Sequence, residues 1–155
     1  MNRTIPPNDA VWRPDVTVAC IVPQSSTFLL VEENVRGELV LNQPAGHLEP
    51  DESLPAAALR EALEETGWSI ALTHLVGVYQ WRNVDGHFLR FTFAAEPRHH
   101  DPARELDTGI VRTLWMTRDE IAASQPRLRS PMVLRGVDDF IAGRCVPLDA
   151  LTSLT

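Results

Sequence analysis

Residues 46–68 read GHLEPDESLPAAALREALEETGW, and the organisation of the chain follows from how this stretch folds. Ser53 can cap a helix, Pro55 is tolerated in a first turn, the middle is rich in alanine and leucine, and Gly67 sits where a terminating glycine belongs. The pattern predicts a helix over about 54–66. At 100° per residue, Glu61, Glu64 and Glu65 then share a sector of roughly 100°. Leu59, Ala62, Leu63 and Thr66 fall opposite, so the expectation is a helix that packs on that side and turns its carboxylates outward into a cleft.

Working outward, residues 16–22 form a β-branched apolar run closed by Pro23 and the Gln24-Ser25-Ser26 turn cluster, and residues 28–31 follow at hairpin distance. Arg36-Gly37 makes a second turn before residues 39–41, which end in the Asn42-Gln43-Pro44-Ala45-Gly46 loop. Beyond the helix, residues 71–81 and 87–95 flank an Asp85-Gly86 pair that favours a hairpin, and 110–116 reads as a further strand. Residues 119–124 and 131–142 are the remaining helical segments. Strands, a helix, strands and then helix describe an α+β fold arranged as an α/β/α sandwich.

A chain of 155 residues with 44% hydrophobic content suits one domain, expected over 12–145. The formal net charge of −7 supplies no positive field for a polymeric nucleic acid or an anionic membrane. All 14 basic residues are arginine, which excludes a lysine nucleophile, a Schiff base and a P-loop lysine. Phosphate must therefore meet arginine, backbone N–H or metal. Cys20 and Cys145 show no zinc-site spacing and read as reduced structural thiols. The N-terminal residues lack a charged-then-apolar leader and no apolar run reaches membrane-spanning length, so the expectation is a soluble cytoplasmic protein, monomer or homodimer.

Three like charges on one helix face, near the negative end of the helix dipole, call for a positive partner. A hard divalent cation answers, because Mg²⁺ prefers carboxylate oxygens, keeps several waters and shares its coordination with substrate phosphates. The competing reading is a solvated acidic face. The surrounding spacing decides between them.

Gly46, Glu52, Arg60, Glu61, Glu64, Glu65 and Gly67 stand at the spacing of the Nudix box, and the chain resembles that family over box residues 46–67. Seven fixed positions match by chance with odds on the order of 10⁻⁸. Ala62 and Trp68 depart from the bulky aliphatics usual at their positions, and Ala45 stands where glycine is common. The resemblance implies an α/β/α sandwich with a mixed sheet and a Mg²⁺-dependent hydrolase, with Mn²⁺ as a substitute, that cleaves phosphoanhydride bonds by attack of a metal-activated water. Position by position it implies Glu61 and Glu65 as metal ligands, Glu64 as ligand or general base, and Ala45 as a backbone-carbonyl ligand. Glu52 and Arg60 are implied as an orienting ion pair.

Beyond the box, NQPAGHLEPDE, LRFTFAAE and LRSP are similar to Nudix phosphatases of the NudJ type, which implies nucleoside tri- and diphosphates and the hydroxymethylpyrimidine pyrophosphate of thiamine synthesis as substrates, with phosphate released. The alternatives are a housecleaning pyrophosphohydrolase that releases pyrophosphate and a non-catalytic nucleotide sensor. No proline occurs between Trp68 and Glu96, which weighs against ADP-ribose. Arg82, Arg90 and Arg129 are candidate phosphate contacts. Tyr79 and Trp81 either stack on a substrate ring or pack in the core. His47 reads as surface or supporting, and Asp107 or Glu105 could add a carboxylate to the metal cluster.

Overall fold

The protein is described over residues 11–154 by a computed structural model, and the expectations for residues 1–10 lie outside the described residues. Among the described residues, eight strands form two sheets. In the first, β1 (Asp15–Ile21) runs antiparallel to β5 (Ala45–His47) and parallel to β7 (His87–His100), which runs antiparallel to β6 (Trp68–Arg82). In the second, β3 (Thr27–Val35) pairs antiparallel with β2 (Pro23–Gln24) at its start, β4 (Glu38–Asn42) at its end and β8 (Ile110–Thr117) along its length. The helices are α1 (Leu54–Thr66), α2 (Arg118–Ala123) and α3 (Met132–Ile141).

The fold is the mixed-sheet α/β/α sandwich that the element order predicts. A strand buried on both faces reads as a continuous apolar run, as β1 does, and its alternate side chains enter two separate cores. Val18, Cys20 and Val22 meet Ala57, Ala58 and Ala62 of α1, together with Phe93 and Leu75. Ile21 joins Ala94, Ile121, Val133 and Val137 under α2 and α3. The sheets are thus the filling and the helices the covers.

α1 begins and ends where its sequence signals lie. Ser53 Oγ accepts from Ala56 N at 3.2 Å, and Gly67 closes the helix at φ 72, its N–H donating to Leu63 O at 2.9 Å. The packing face is only in part the one expected: Ala62 and Thr66 are inward, but the leucines are not. Leu59 is exposed and Leu63 half-buried, whereas Ala57, Ala58, Glu61, Ala62, Glu65 and Thr66 are buried. Small alanines let the helix settle closely on β1, and this draws two glutamates inward with them. The segments 23–24 and 45–47, read from sequence as turn and loop, are short strands.

One charged residue fixes the second sheet. Glu32 on β3 is buried, and it accepts from Nε of its cross-strand neighbour Arg112 at 2.9 Å and from Nη2 of Arg127. These two hydrogen bonds hold its carboxyl below the ordinary carboxylate range. A depressed folded-state value stabilises above the unfolded value of about 4.3 and is lost as pH falls through the folded one. Glu32→Gln is accordingly expected to lower stability by about 1–2 kcal/mol at neutral pH. Denaturant midpoints of variant and wild type should converge in acid, and a gap that persists there contradicts this account.

Candidate active site

α1, β5 and the loop before β8 meet at one end of the sandwich, and their acidic side chains converge there. Glu61, Glu64 and Asp107 each bring a carboxylate oxygen within 4.8 Å of the others. Asp107 arrives from more than forty residues away because its backbone N–H donates to Glu64 O, at 3.0 Å. Glu65 lies one step deeper, its Oε2 accepting from the Ala45 N–H at 2.9 Å. This ties the helix to β5, and through β5 to β1.

Gly46 is required by the closeness of this contact. A Cβ there would stand 2.1 Å from Glu61 Oε1, where no atom can be, although the glycine backbone itself is ordinary. The carboxylate thus occupies the space that any side chain at 46 would fill.

Arg60 holds the outer side of the cluster. Its Nε and Nη2 meet both oxygens of Glu52 at 3.0 and 2.7 Å, a forked pairing, and Nη2 also donates to His47 O at 3.1 Å. Its Nη1 donates to Glu61 at 2.8 Å and to Glu64 at 3.1 Å. Arg60 therefore clamps the loop before α1 onto the helix, and Glu52, held below the usual carboxylate range by that guanidinium, anchors it. His47 takes part through its backbone oxygen.

One guanidinium cannot neutralise this many carboxylates. Burial, only partly offset by Arg60, pushes Glu61 up, with Glu64 and Asp107 adding to the rise. Burial and the nearby charges of Glu61, Glu33 and Asp107 push Glu65 up to about 8, despite the Ala45 hydrogen bond. The donor set is all hard oxygen, gathered within coordination range and short of positive charge, and this suits a divalent cation of the Mg²⁺ type.

Glu61 of this cluster, with Glu65, Ala45 and Gly46, lines a cleft of about 560 Å³, whereas Glu64 and Asp107 lie outside that lining. Arg90 and Arg129, two of the expected phosphate contacts, line the same cleft, as does Trp81, stacked on Phe88 at 5.6 Å between ring centroids. Tyr79 and Arg82 are not in it. The Tyr79 hydroxyl donates instead to Asp139 of α3 at 2.8 Å, inside a network with Arg135 and Arg144, and Arg82 is exposed against Trp12 and Pro14. Among the cleft residues not foreseen, Thr17 and Glu33 lie on strands and carry no motif, and Asn42 opens the NQPAGHLEPDE segment without being singled out. Cys20 is buried, its Sγ 3.4 Å from Ala58 O, and plays no part in the cleft.

Comparison with known proteins agrees with this geometry. The NUDIX domain profile matches residues 12–134. The chain belongs to the Nudix family. It is 41% identical over 142 residues to Phosphatase NudJ of Escherichia coli strain K12, covering 91% of this chain and 92% of that protein. The structure of a NUDIX hydrolase from Nitrosomonas europaea superposes with a TM-score of 0.89 at 48% identity, over 91% of this chain and 97% of that one. An ADP-ribose pyrophosphatase from Streptococcus suis, at 17% identity and a TM-score of 0.65 over 85% of this chain and 93% of that one, shares the fold alone. The chain is thus a Nudix phosphohydrolase, similar to NudJ phosphatases.

Gly46→Ala should separate catalysis from folding in this enzyme. The added methyl displaces only the far end of Glu61, so stability should stay within about 1 kcal/mol of wild type while kcat falls on the order of 100-fold. Unchanged turnover in a folded variant would contradict the placement of Glu61.

Proposed function

We propose that the protein is a Mg²⁺-dependent phosphatase of nucleoside tri- and diphosphates, and of pyrimidine pyrophosphates of the hydroxymethylpyrimidine type, that releases inorganic phosphate. The observation that carries the reading is the convergence of Glu61, Glu64 and Asp107 within 4.8 Å beside a cleft that Glu61 lines together with Arg90 and Arg129. The similarity to Phosphatase NudJ over 91% of the chain supports phosphate as the product.

Glu61, Glu64 and Glu65, with the Ala45 carbonyl and Asp107, are the groups that would hold the cation. A bound divalent ion supplies charge neutralisation and an acidified water at neutral pH. The chain's own residues do the positioning. Arg60 and Glu52 lock the loop to the helix, and Gly46 lets the Glu61 carboxylate lie against the backbone. The Ala45 N–H fixes Glu65 Oε2, so a proton on that carboxyl resides on Oε1. Glu64 is the most accessible of the three helix carboxylates and the one suited to accept a proton from attacking water. Arg129, half-exposed at the opposite wall, is placed to meet substrate phosphate as it enters.

Purified protein with Mg²⁺ should release phosphate from several nucleoside di- and triphosphates and from the pyrimidine pyrophosphate, and should cleave ADP-ribose, whose only anhydride products are AMP and ribose 5-phosphate, more slowly. Pyrophosphate as the product of a single nucleotide would overturn the reading in favour of a housecleaning enzyme. Glu64→Gln and Glu65→Gln should each reduce kcat by about 10²- to 10⁴-fold, and near-wild-type turnover in both would remove their assigned roles.

A further inference from the structure

The floor of the cleft is set by strand register. β1 and β7 place Thr17 beside Arg90, β1 and β5 place His47 beside Thr17, and β4 ends on Asn42 with Gln43 next. Thr17, Asn42, Gln43 and Arg90 are all buried. A guanidinium that deep ordinarily faces a carboxylate. Arg90 does not. Its Nη atoms reach only amide oxygens, Asn42 Oδ1 at 3.4 and 3.5 Å and Gln43 Oε1 at 3.5 Å, all long for hydrogen bonds. Its Nε is buried with no partner, and so is Thr17 Oγ1 beside it. The surrounding groups do not repair this. Asn42 Nδ2 leans towards Glu33 at 3.4 Å, Gln43 Nε2 donates to Val133 O at 2.7 Å, and the Glu33 carboxylate is turned to Arg129 at 4.0 Å.

A buried cation held only by long contacts to amide oxygens, beside a buried hydroxyl with no partner, costs the fold stability, and such a pair persists where a ligand supplies what is missing. The cation calls for an anion with several oxygens, and the acidic helix end across the same cleft fixes where the rest of that anion lies. We propose that Thr17 and Arg90 form a phosphate-binding floor, which receives the non-bridging oxygens of the substrate's phosphate chain and aligns it against Glu61, Glu64 and Asp107. The proposal rests on the phosphohydrolase reading of this cleft and adds to it the residue that grips the phosphate chain. Asn42 and Gln43 are its positioning residues: their amide oxygens lean on the guanidinium from behind and keep its donors turned to the cleft. The aromatic pair Trp81 and Phe88 is left to meet the organic half of the substrate.

A charge that serves the ligand rather than the fold has a distinctive signature on removal. Arg90→Met replaces the buried cation by an apolar chain of similar length. Its denaturation midpoint should equal or exceed that of wild type, while KM for a nucleoside diphosphate rises ten- to a hundredfold and kcat changes less than threefold. Inorganic phosphate in the presence of Mg²⁺ should raise the melting temperature of wild type and leave Arg90→Met unmoved. A folded Arg90→Met with unchanged KM overturns the proposal. So does a raised KM with the phosphate response intact, since that places Arg90 against the organic group. If Arg90→Met does not fold, the wild-type guanidinium Nε–H resonance remains as the readout: it should shift on titration with inorganic phosphate, and a resonance that stays in place overturns the proposal. Because the stability and resonance measurements need no turnover, they stand apart from the activity test of the proposed function, which fails on its own terms if wild type releases no phosphate.

Discussion

Burying like charges on the inward face of one helix is the constraint around which this protein is arranged. Glu61 and Glu65 go under with Ala57, Ala58 and Ala62 because all five share the side of α1 that meets β1 and β5. Each carboxylate then needs something specific: Glu61 needs a glycine at 46 to lie against, and Glu65 needs the Ala45 N–H. Arg60 is the counter-charge to both Glu61 and Glu64, and it is itself braced by Glu52. The spacing of the whole 46–67 segment expresses these contacts. Leaving a partner out would strand a buried charge, which costs several kcal/mol.

The same arrangement explains why the fold and the chemistry are hard to separate. α1 is a wall of the first core and also the source of most of the acidic groups, while the strand it packs on contributes Thr17 to the cleft. The carboxylates of Glu61 and Glu65 and the guanidinium groups of Arg90 and Arg129 line one cleft. A phosphate ester with a bound cation has the matching distribution of charge.

Much of this was legible in the sequence, for physical reasons. Ser53, Pro55 and Gly67 act locally, so the bounds of α1 follow from residues within a turn of each end. β1 is announced by a continuous apolar run because it is buried on both faces. The inward face of α1 was misread in part because its apolar side is made of alanines, which carry little hydrophobic signal beside Leu59 and Leu63. Tyr79 and Arg82 are candidates by residue type and by their place near the hairpin, whereas the Tyr79 hydroxyl is drawn to Asp139 of α3, distant in sequence, and Arg82 stays exposed. Asp107 and Arg90 depend on tertiary contacts, a backbone hydrogen bond to Glu64 and a strand pairing with Thr17, that have no local trace.

The acidic end of α1 is short of positive charge, which a divalent cation would supply. The most direct measurement is the melting temperature of the metal-stripped protein as MgCl₂ is added, for wild type and for the double variant Glu61→Gln, Glu64→Gln. A cation that binds only the folded chain raises its stability in proportion to the logarithm of its concentration over its dissociation constant. The account predicts a rise of several degrees at millimolar Mg²⁺ for wild type and none for the double variant, which should also start from an equal or higher melting temperature because two repelling charges are gone. A wild type indifferent to Mg²⁺, or a double variant that responds equally, would contradict it.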